Sequence, residues 1–316
     1  MVEEKKKEKQ PYIRIYGKEN ELGEWVRPAV NEDDEYTYQW DADWVNDPSK
    51  PLLKITKSSL GTFKWCKKQY EFSYIDRRPI EVSEPMLKGT FIHDSVEDFF
   101  NEIDIKKAEN MSMAELNDYF TSLFPISDYT ELSDSIALFH TQRFMVAKEA
   151  NLLDDFLPAG NELLLNARIL IPKDLHIKYP LNNDHIVHLQ GVIDRIYREN
   201  ESYIPMELKT GPWKDNKTGI RRELAFYKIL MENDPNNELV PINYWGWYYP
   251  VSNHLTVEKA KKATMTSTMK AMVEIVYAYE NKDFPTSFFH KKCVHCSFID
   301  ICPASSDSVK EESDWL

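Results

Sequence analysis

The chain has 316 residues, 42% of them hydrophobic and 13% aromatic, enough to bury one large core or two smaller ones, which excludes a disordered polypeptide. It holds no apolar run of about 18 residues, and its opening MVEEKKKEKQ lacks the apolar stretch of a secretory signal, so a soluble, intracellular (cytoplasmic) protein with no membrane association is expected. The formal net charge of -13 argues at first sight against a polyanionic partner, but residues 1–50, 98–158 and 303–316 together carry -16, leaving 51–97 with 159–302 at +3.

In chain order, residues 1–50 read as an acidic N-terminal extension with a charged start. From Ser58 the segment SSLGTFKWCKKQYEFSYI has a Ser cap and apolar residues at helical spacing, predicting a helix that carries Cys66. MLKGTFIHDSVEDFFNEI predicts a second helix. Two more helical stretches, MAELNDYFTSLF and DSIALFHTQRFMVAKEANLL, fall within a helical insertion expected at about 98–158. The pattern then changes: NELLLNARILI, HIVHLQGVIDRIY and YIPMELK read as strands, the last two joined through RENES as an antiparallel pair. RRELAFYKILMEN reads as a helix, NYWGWYYP as a strand, and TVEKAKKATMTSTMKAMVEIVYAYEN as a long final helix. Helix, three strands, helix, strand is an α/β core, spanning 51–302, with an acidic C-terminal tail over 303–316.

Asp194 in GVIDR precedes Glu207 and Lys209 in ELKTG. If the two segments are neighbouring strands, Asp194 and Glu207 meet near one end of the pair, and Glu207 and Lys209, two apart, share a face. Two carboxylates suit a hard divalent cation, and an ammonium suits the charge that builds on a phosphate under attack. A salt-bridged, solvated hairpin face gives the same three residues, so the trio alone does not decide the matter. In GTFIHDSVE, Gly89, His93 and Glu97 recur at four-residue spacing on one helical face, where His93 can complete a metal site or simply be a core histidine. In ELAFY, Glu223 and Tyr227 share a face of the next helix, where the tyrosine can stack on a base, contact phosphate or pack in the core.

The sequential order GxxxHxxxE, GVIDR, ELKTG and a polar residue four before a Tyr resembles the RecB-like nucleases of the PD-(D/E)XK superfamily, over roughly residues 55–303. The resemblance implies a restriction-endonuclease-like α/β fold with a central mixed sheet flanked by helices. It implies Mg²⁺ or Mn²⁺ held by His93, Asp194 and Glu207, with the backbone carbonyl of Leu208 as a further ligand, and Lys209 as the catalytic lysine beside Asp194 and Glu207. The family usually has Gln where this chain has Glu223. A carboxylate there repels phosphate unless it is paired, with Arg221 or Arg222 as the expected partners, or helps to bind metal.

CVHCSFIDICP sets Cys293, Cys296 and Cys302 on one short segment, and the fourth cysteine is Cys66. In an intracellular chain such a cluster reads as a metal centre before it reads as disulfides. Chemistry alone leaves iron and zinc about equal, since zinc accepts four thiolates, or three with His290 or His295. One upstream and three downstream cysteines are similar to those of the CRISPR-associated RecB-like nucleases of spacer acquisition and related single-strand exonucleases. That likeness implies a [4Fe–4S] cluster forming a cysteine-cluster cap that ties the two ends of the domain together.

Lys64, Lys67, Lys68, Arg77 and Arg78 surround Cys66, Lys291 and Lys292 adjoin the C-terminal cysteines, and Phe63, Trp65, Tyr70 and Trp213 are candidate stacking surfaces. A metal-dependent nuclease for single-stranded DNA is the expected function, as exonuclease, endonuclease or both, with DNA and the protein components of a repair or CRISPR-adaptation complex as partners; viral or plasmid DNA processing is a further setting. A non-catalytic DNA-binding subunit and an RNA-processing nuclease are the alternatives.

Overall fold

The computed structural model describes residues 13–14, 53–78, 80, 83–215 and 217–304. The acidic extension, apart from Ile13 and Arg14, and the C-terminal tail beyond residue 304 lie outside the described residues. The architecture is a mixed α/β sandwich with helices on both faces of one seven-stranded sheet. Among the described residues, no helix is long and apolar enough to cross a membrane.

The sheet is organised on β4 (His185–Glu199), to which β3 (Gly160–Ile171) pairs antiparallel along one edge. The opposite edge is shared. There β2 (Leu53–Thr56) pairs parallel with residues 187–190, while β5 (Ser202–Leu208) pairs antiparallel with 195–199. The C-terminal ends of β2 and β5 therefore converge on the middle of β4. Beyond β5 come β6 (Tyr244–Tyr249), parallel to it, and the antiparallel edge strand β7 (His254–Lys259); the two-residue β1 (Ile13–Arg14) pairs with β3.

On one face α1 (Lys57–Trp65), α7 (Lys217–Asn233) and α8 (Lys262–Asn281) bury Phe63, Phe226, Leu230 and Val276 against β3, β4 and β6. On the other, α3 (Glu84–Glu102), α5 (Met113–Ser122) and α6 (Thr130–Glu149), with the short α4 (Ile105–Glu109), form a second core of Phe99, Phe120, Phe144 and Phe156. Residues 98–158, the expected insertion, thus start inside α3 and supply most of this second core.

Three local readings are corrected. The cap of α1 is Thr56, not Ser58: Thr56 Oγ1 accepts from the Ser59 amide at 3.0 Å while Ser59 Oγ accepts from the Thr56 amide at 2.9 Å, a reciprocal capping box. The helix does not run through Cys66, which is extended (φ -157°, ψ 120°) and separates α1 from α2 (Lys67–Tyr70). The final helix begins at Lys262, because residues 254–259 pair with β6 as a hairpin strand instead of extending it.

Candidate active site

Strand alternation sorts the site. Along β5, Ile204, Met206 and Leu208 enter the second core, so Tyr203, Glu207 and the following Lys209 take the opposite side. At the end of β2, Lys57 is the first residue of α1 and meets Glu207 across a separation of 150 residues: its Nζ donates to Glu207 Oε1 at 2.7 Å and Oε2 at 2.9 Å, and to the Tyr227 hydroxyl at 2.6 Å. Lys209 Nζ donates to Glu207 Oε1 at 2.6 Å and to Glu223 Oε2 at 2.8 Å. Glu207, 2% exposed, is thus clamped between two ammonium groups.

Asp194 lies next to this clamp on β4. Its Oδ2 accepts from the Leu208 amide at 2.7 Å, and its Oδ1 lies 3.5 Å from the Tyr227 hydroxyl. Glu162 is opposite Asp194 in the β3–β4 register, but its left-handed backbone (φ 44°) drops it out of the ladder. His93 Nδ1, from α3, stands 3.2 Å from Glu162 Oε1 and 3.8 Å from Asp194 Oδ2. His93, Glu162 and Asp194 each offer a donor atom within 4.8 Å of the others. Two carboxylates and an imidazole form a donor set that fits Mn²⁺ or Mg²⁺.

The protonation states follow from this crowding. Burial, then the charge of Glu207, pushes Asp194 up to about 6, against the pull of Lys57 and His93. For Glu207, burial favours the neutral acid, but Lys57 and Lys209 outweigh it and hold the carboxyl well below its ordinary range. Burial opposes the charge of each lysine, yet the surrounding carboxylates raise both above the ordinary value. Glu223 is raised by burial and by Glu207 despite its bond to Lys209. Burial lowers His93, but Glu162 and Asp194 more than reverse it; Glu162 is held low by His93 and by Arg195, whose Nη1 donates to it at 2.7 Å.

The structure therefore brings together His93, Asp194, Glu207 and Lys209. It adds two residues that the motifs did not mark, Glu162 and Lys57. The third donor beside His93 and Asp194 is Glu162, while both oxygens of Glu207 are engaged by lysines. Leu208 presents its N–H to Asp194. Glu223 pairs with Lys209, not with the expected Arg221 or Arg222: Arg221 Nε donates to Glu258 at 2.6 Å, and Arg222 is partly buried beside Glu223. Tyr227 is fully buried, so it offers the site its hydroxyl and not a stacking face; Phe63 and Tyr70 are also core residues.

Cys66, Cys293, Cys296 and Cys302 line one small cavity, all as free thiols. The break at Cys66 sets it against the turns that follow α9 (His290–Cys293), where Phe72 packs on Phe298 at 5.3 Å between ring centres. Burial is the first cause of a raised Cys296 thiol, with the other three cysteines adding to it. Four free thiols lining one cavity supply the ligand type of a four-thiolate centre. Lys67 lies over the Phe63 and Tyr179 rings, each at 5.2 Å, Lys68 is paired with Glu71, and Lys64 bonds Glu274 at 3.1 Å. Lys292 reaches Trp65, bonding its carbonyl at 3.1 Å and lying 4.4 Å from its ring centre.

The profile of the PD-(D/E)XK nuclease superfamily matches residues 54–303, and the chain belongs to that superfamily. The match runs from β2 to the last cysteine and so takes in the whole of the site. Membership implies a nuclease. Among solved structures, the crystal structure of SSO0001 aligns at a TM-score of 0.35 and 13% identity, covering 81% of this chain and 89% of that one, a likeness too slight to carry any functional argument. No curated protein gives a significant match.

Proposed function

We propose that this chain is a Mg²⁺- or Mn²⁺-dependent deoxyribonuclease that hydrolyses phosphodiester bonds of single-stranded DNA. The observation that carries the reading is the convergence of His93, Glu162 and Asp194 within 4.8 Å, beside the Glu207–Lys209 pair. A divalent ion held by these donors would polarise the scissile phosphate and lower the pKa of an attacking water. The protein's own groups do the rest. Lys209, 31% exposed at its side chain, faces outward far enough to meet a phosphate oxygen and stabilise its growing charge. Lys57 and Tyr227 fix Glu207 and Asp194 from below. Arg195 holds the Glu162 carboxylate toward His93. Glu207 would join the ion as a ligand by exchanging an ammonium partner for it.

Single strands are favoured because Trp65, Phe288 and Phe289 are about half exposed, at 51, 49 and 53%, on the surface beside Lys292 and the cysteine cavity. Exposed aromatics alternating with cations stack unpaired bases and follow a backbone. The four cysteines would hold a [4Fe–4S] cluster, the choice of iron over zinc resting on resemblance, with a structural role in joining α1 and α2 to the C-terminal turns. The reading places the activity in repair, CRISPR adaptation or the processing of viral or plasmid DNA.

The test incubates purified protein with labelled single-stranded DNA, duplex DNA and RNA, with Mg²⁺, Mn²⁺ or EDTA, beside Asp194→Ala and Lys209→Ala. Metal-dependent cleavage of single-stranded DNA that both variants lose is expected. Absence of cleavage by the wild type, or full cleavage by both variants, refutes it. Preferred cleavage of RNA refutes the DNA assignment alone. Anaerobic preparations should be brown, with absorbance near ~400 nm, and a colourless zinc protein would overturn the cluster assignment.

A further inference from the structure

Behind the catalytic face, between α6 and the sheet, lies a second cavity of about 190 Å³. Its walls are apolar, including Phe100, Ile136, Met206 and Tyr248, and it reaches the edge strand β7 at Leu255 and Val257, each 47% exposed. The polar side chains that line it are His140, Arg143, Arg195 and Glu207, whose carboxylate is already engaged by Lys57 and Lys209, together with the tyrosines Tyr197 and Tyr248. His140 and Arg195 are only 4% exposed, and Arg143 is partly buried, with its Nη1 shut off from solvent.

These side chains leave four buried nitrogens without a partner among the described residues: His140 Nδ1, Arg143 Nη1, and Arg195 Nε and Nη2. The Arg195 charge is compensated by Glu162. That of Arg143 is not: its Nη2 donates to the Phe156 and Asp155 carbonyls, its guanidinium lies over the Tyr197 and Phe156 rings at 4.1 and 4.7 Å, and no described carboxylate pairs with it. A charge held away from water without a counter-charge is costly, and an anion that pairs with it relieves that cost. Burial first, and then the charges of Arg143 and Arg195, lower the His140 imidazole.

We propose that this cavity is a binding site for a small monocarboxylate with a compact apolar body, its carboxylate received by Arg143, Arg195 and His140. The lining offers unpaired donors and one uncompensated positive charge, which is what a carboxylate needs, having about four acceptor positions and one negative charge. The volume sets the size. A cavity of about 150 Å³ accommodates benzene, so one of about 190 Å³ matches a benzoate-sized anion. The site adjoins the proposed nuclease site through Glu207 and Arg195, and its test needs no catalysis.

The experiment titrates the full chain with 4-fluorobenzoate, fluorobenzene and acetate in turn, following ¹⁹F line broadening for the fluorinated probes and the melting temperature for all three. Charge-assisted hydrogen bonds to a buried carboxylate predict that fluorobenzoate binds at least about ten-fold tighter than fluorobenzene, and that acetate, lacking the apolar body, shifts melting least. Arg143→Met should abolish fluorobenzoate binding while fluorobenzene still binds. Equal affinity for the charged and neutral probes in the wild type overturns the proposal, as does the absence of any binding. Undiminished fluorobenzoate binding by a folded Arg143→Met does so as well. If that variant does not fold, the wild-type comparison of the two probes decides alone.

Discussion

Lys57→Met tests whether the lysine at the start of α1 is part of the site or merely near it. The substitution keeps most of the side-chain volume and removes three hydrogen bonds, two to Glu207 and one to Tyr227. Breaking a buried ion pair typically costs about 3–5 kcal/mol. Glu207 retains Lys209 at 2.6 Å, so the loss here should be nearer about 2–3 kcal/mol. For a domain of this size, that lowers the melting temperature in EDTA by roughly 3–6 °C. The acid limb should move too. A carboxyl depressed in the folded state contributes stability above its unfolded pKa, and this is lost as pH falls through the folded value. Without Lys57 the folded value of Glu207 rises, so the variant should lose stability at a higher pH than the wild type. Mn²⁺ should narrow the gap, because Glu207 has one competitor fewer. Lys57→Arg, which keeps the charge, should fall between the two. Differential scanning calorimetry in EDTA and in Mn²⁺ reads all of these effects, and a Lys57→Met protein melting within about 1 °C of the wild type would refute the reasoning.

Glu162→Gln should weaken Mn²⁺ binding by at least about ten-fold, measured by the electron paramagnetic resonance of free Mn²⁺; unchanged affinity would leave Glu162 a partner of Arg195 and nothing more. His188 is buried, bonds Asn166 at 3.1 Å and is lowered to about 4 by burial and by Arg168 and Lys54. The unfolded chain takes up a proton below the ordinary histidine value of 6.5 and the folded one only near 4, so this group removes stability as pH falls through that window, by up to about 3 kcal/mol. In His188→Gln, denaturant titrations at pH 7 and pH 4.5 should differ less than in the wild type, and an identical difference would show that His188 does not titrate as argued. Cys66→Ser should lower the melting temperature and bleach the chromophore while whatever folded protein remains cleaves with unchanged metal dependence. Loss of cleavage in a fully stable Cys66→Ser protein would contradict a structural role.

The parts legible in the sequence were those coded by local periodicity. The strand segments 161–171, 185–197 and 203–209 alternate and are long, and the turn RENES between two of them fixes their antiparallel register, so Asp194 and Glu207 could be set together in advance. Lys57 could not. Its place depends on a four-residue strand, β2, pairing with the middle of β4 across more than a hundred residues, and nothing local distinguishes KITK from a loop. Glu162 carried a faint signal, an acidic residue at the start of an apolar strand. What matters about it is a left-handed backbone opposite Asp194, which no local pattern marks. At Cys66 the surrounding FKWCKKQY has continuous helical character, and the break arises where the chain turns toward the C-terminal cysteines. The edge strand β7 reads locally as the start of a helix because neither of its faces is fully buried, and the hairpin with β6 decides the contest.

Glu223 was the residue that fitted the motif pattern least, and Lys57 resolves the misfit. Four carboxylates, Glu162, Asp194, Glu207 and Glu223, surround the cleft, more than one divalent ion and Lys209 together neutralise. A site with Lys209 as its only lysine would leave Glu207 and Glu223 competing for it, with one buried carboxylate uncompensated. With Lys57 on Glu207 and Lys209 shared between Glu207 and Glu223, each of those acids has a cation within 2.8 Å, while Arg195 serves Glu162. The extra acid and the extra base are thus one feature. Its consequence is that Glu207 already has a full set of partners, so an ion held by His93, Glu162 and Asp194 would gain Glu207 as a further ligand only by displacing a lysine from it. Such an exchange with buried ammonium groups would discriminate by charge density. It would favour a small divalent ion over monovalent ones, since only the former repays the loss of a lysine.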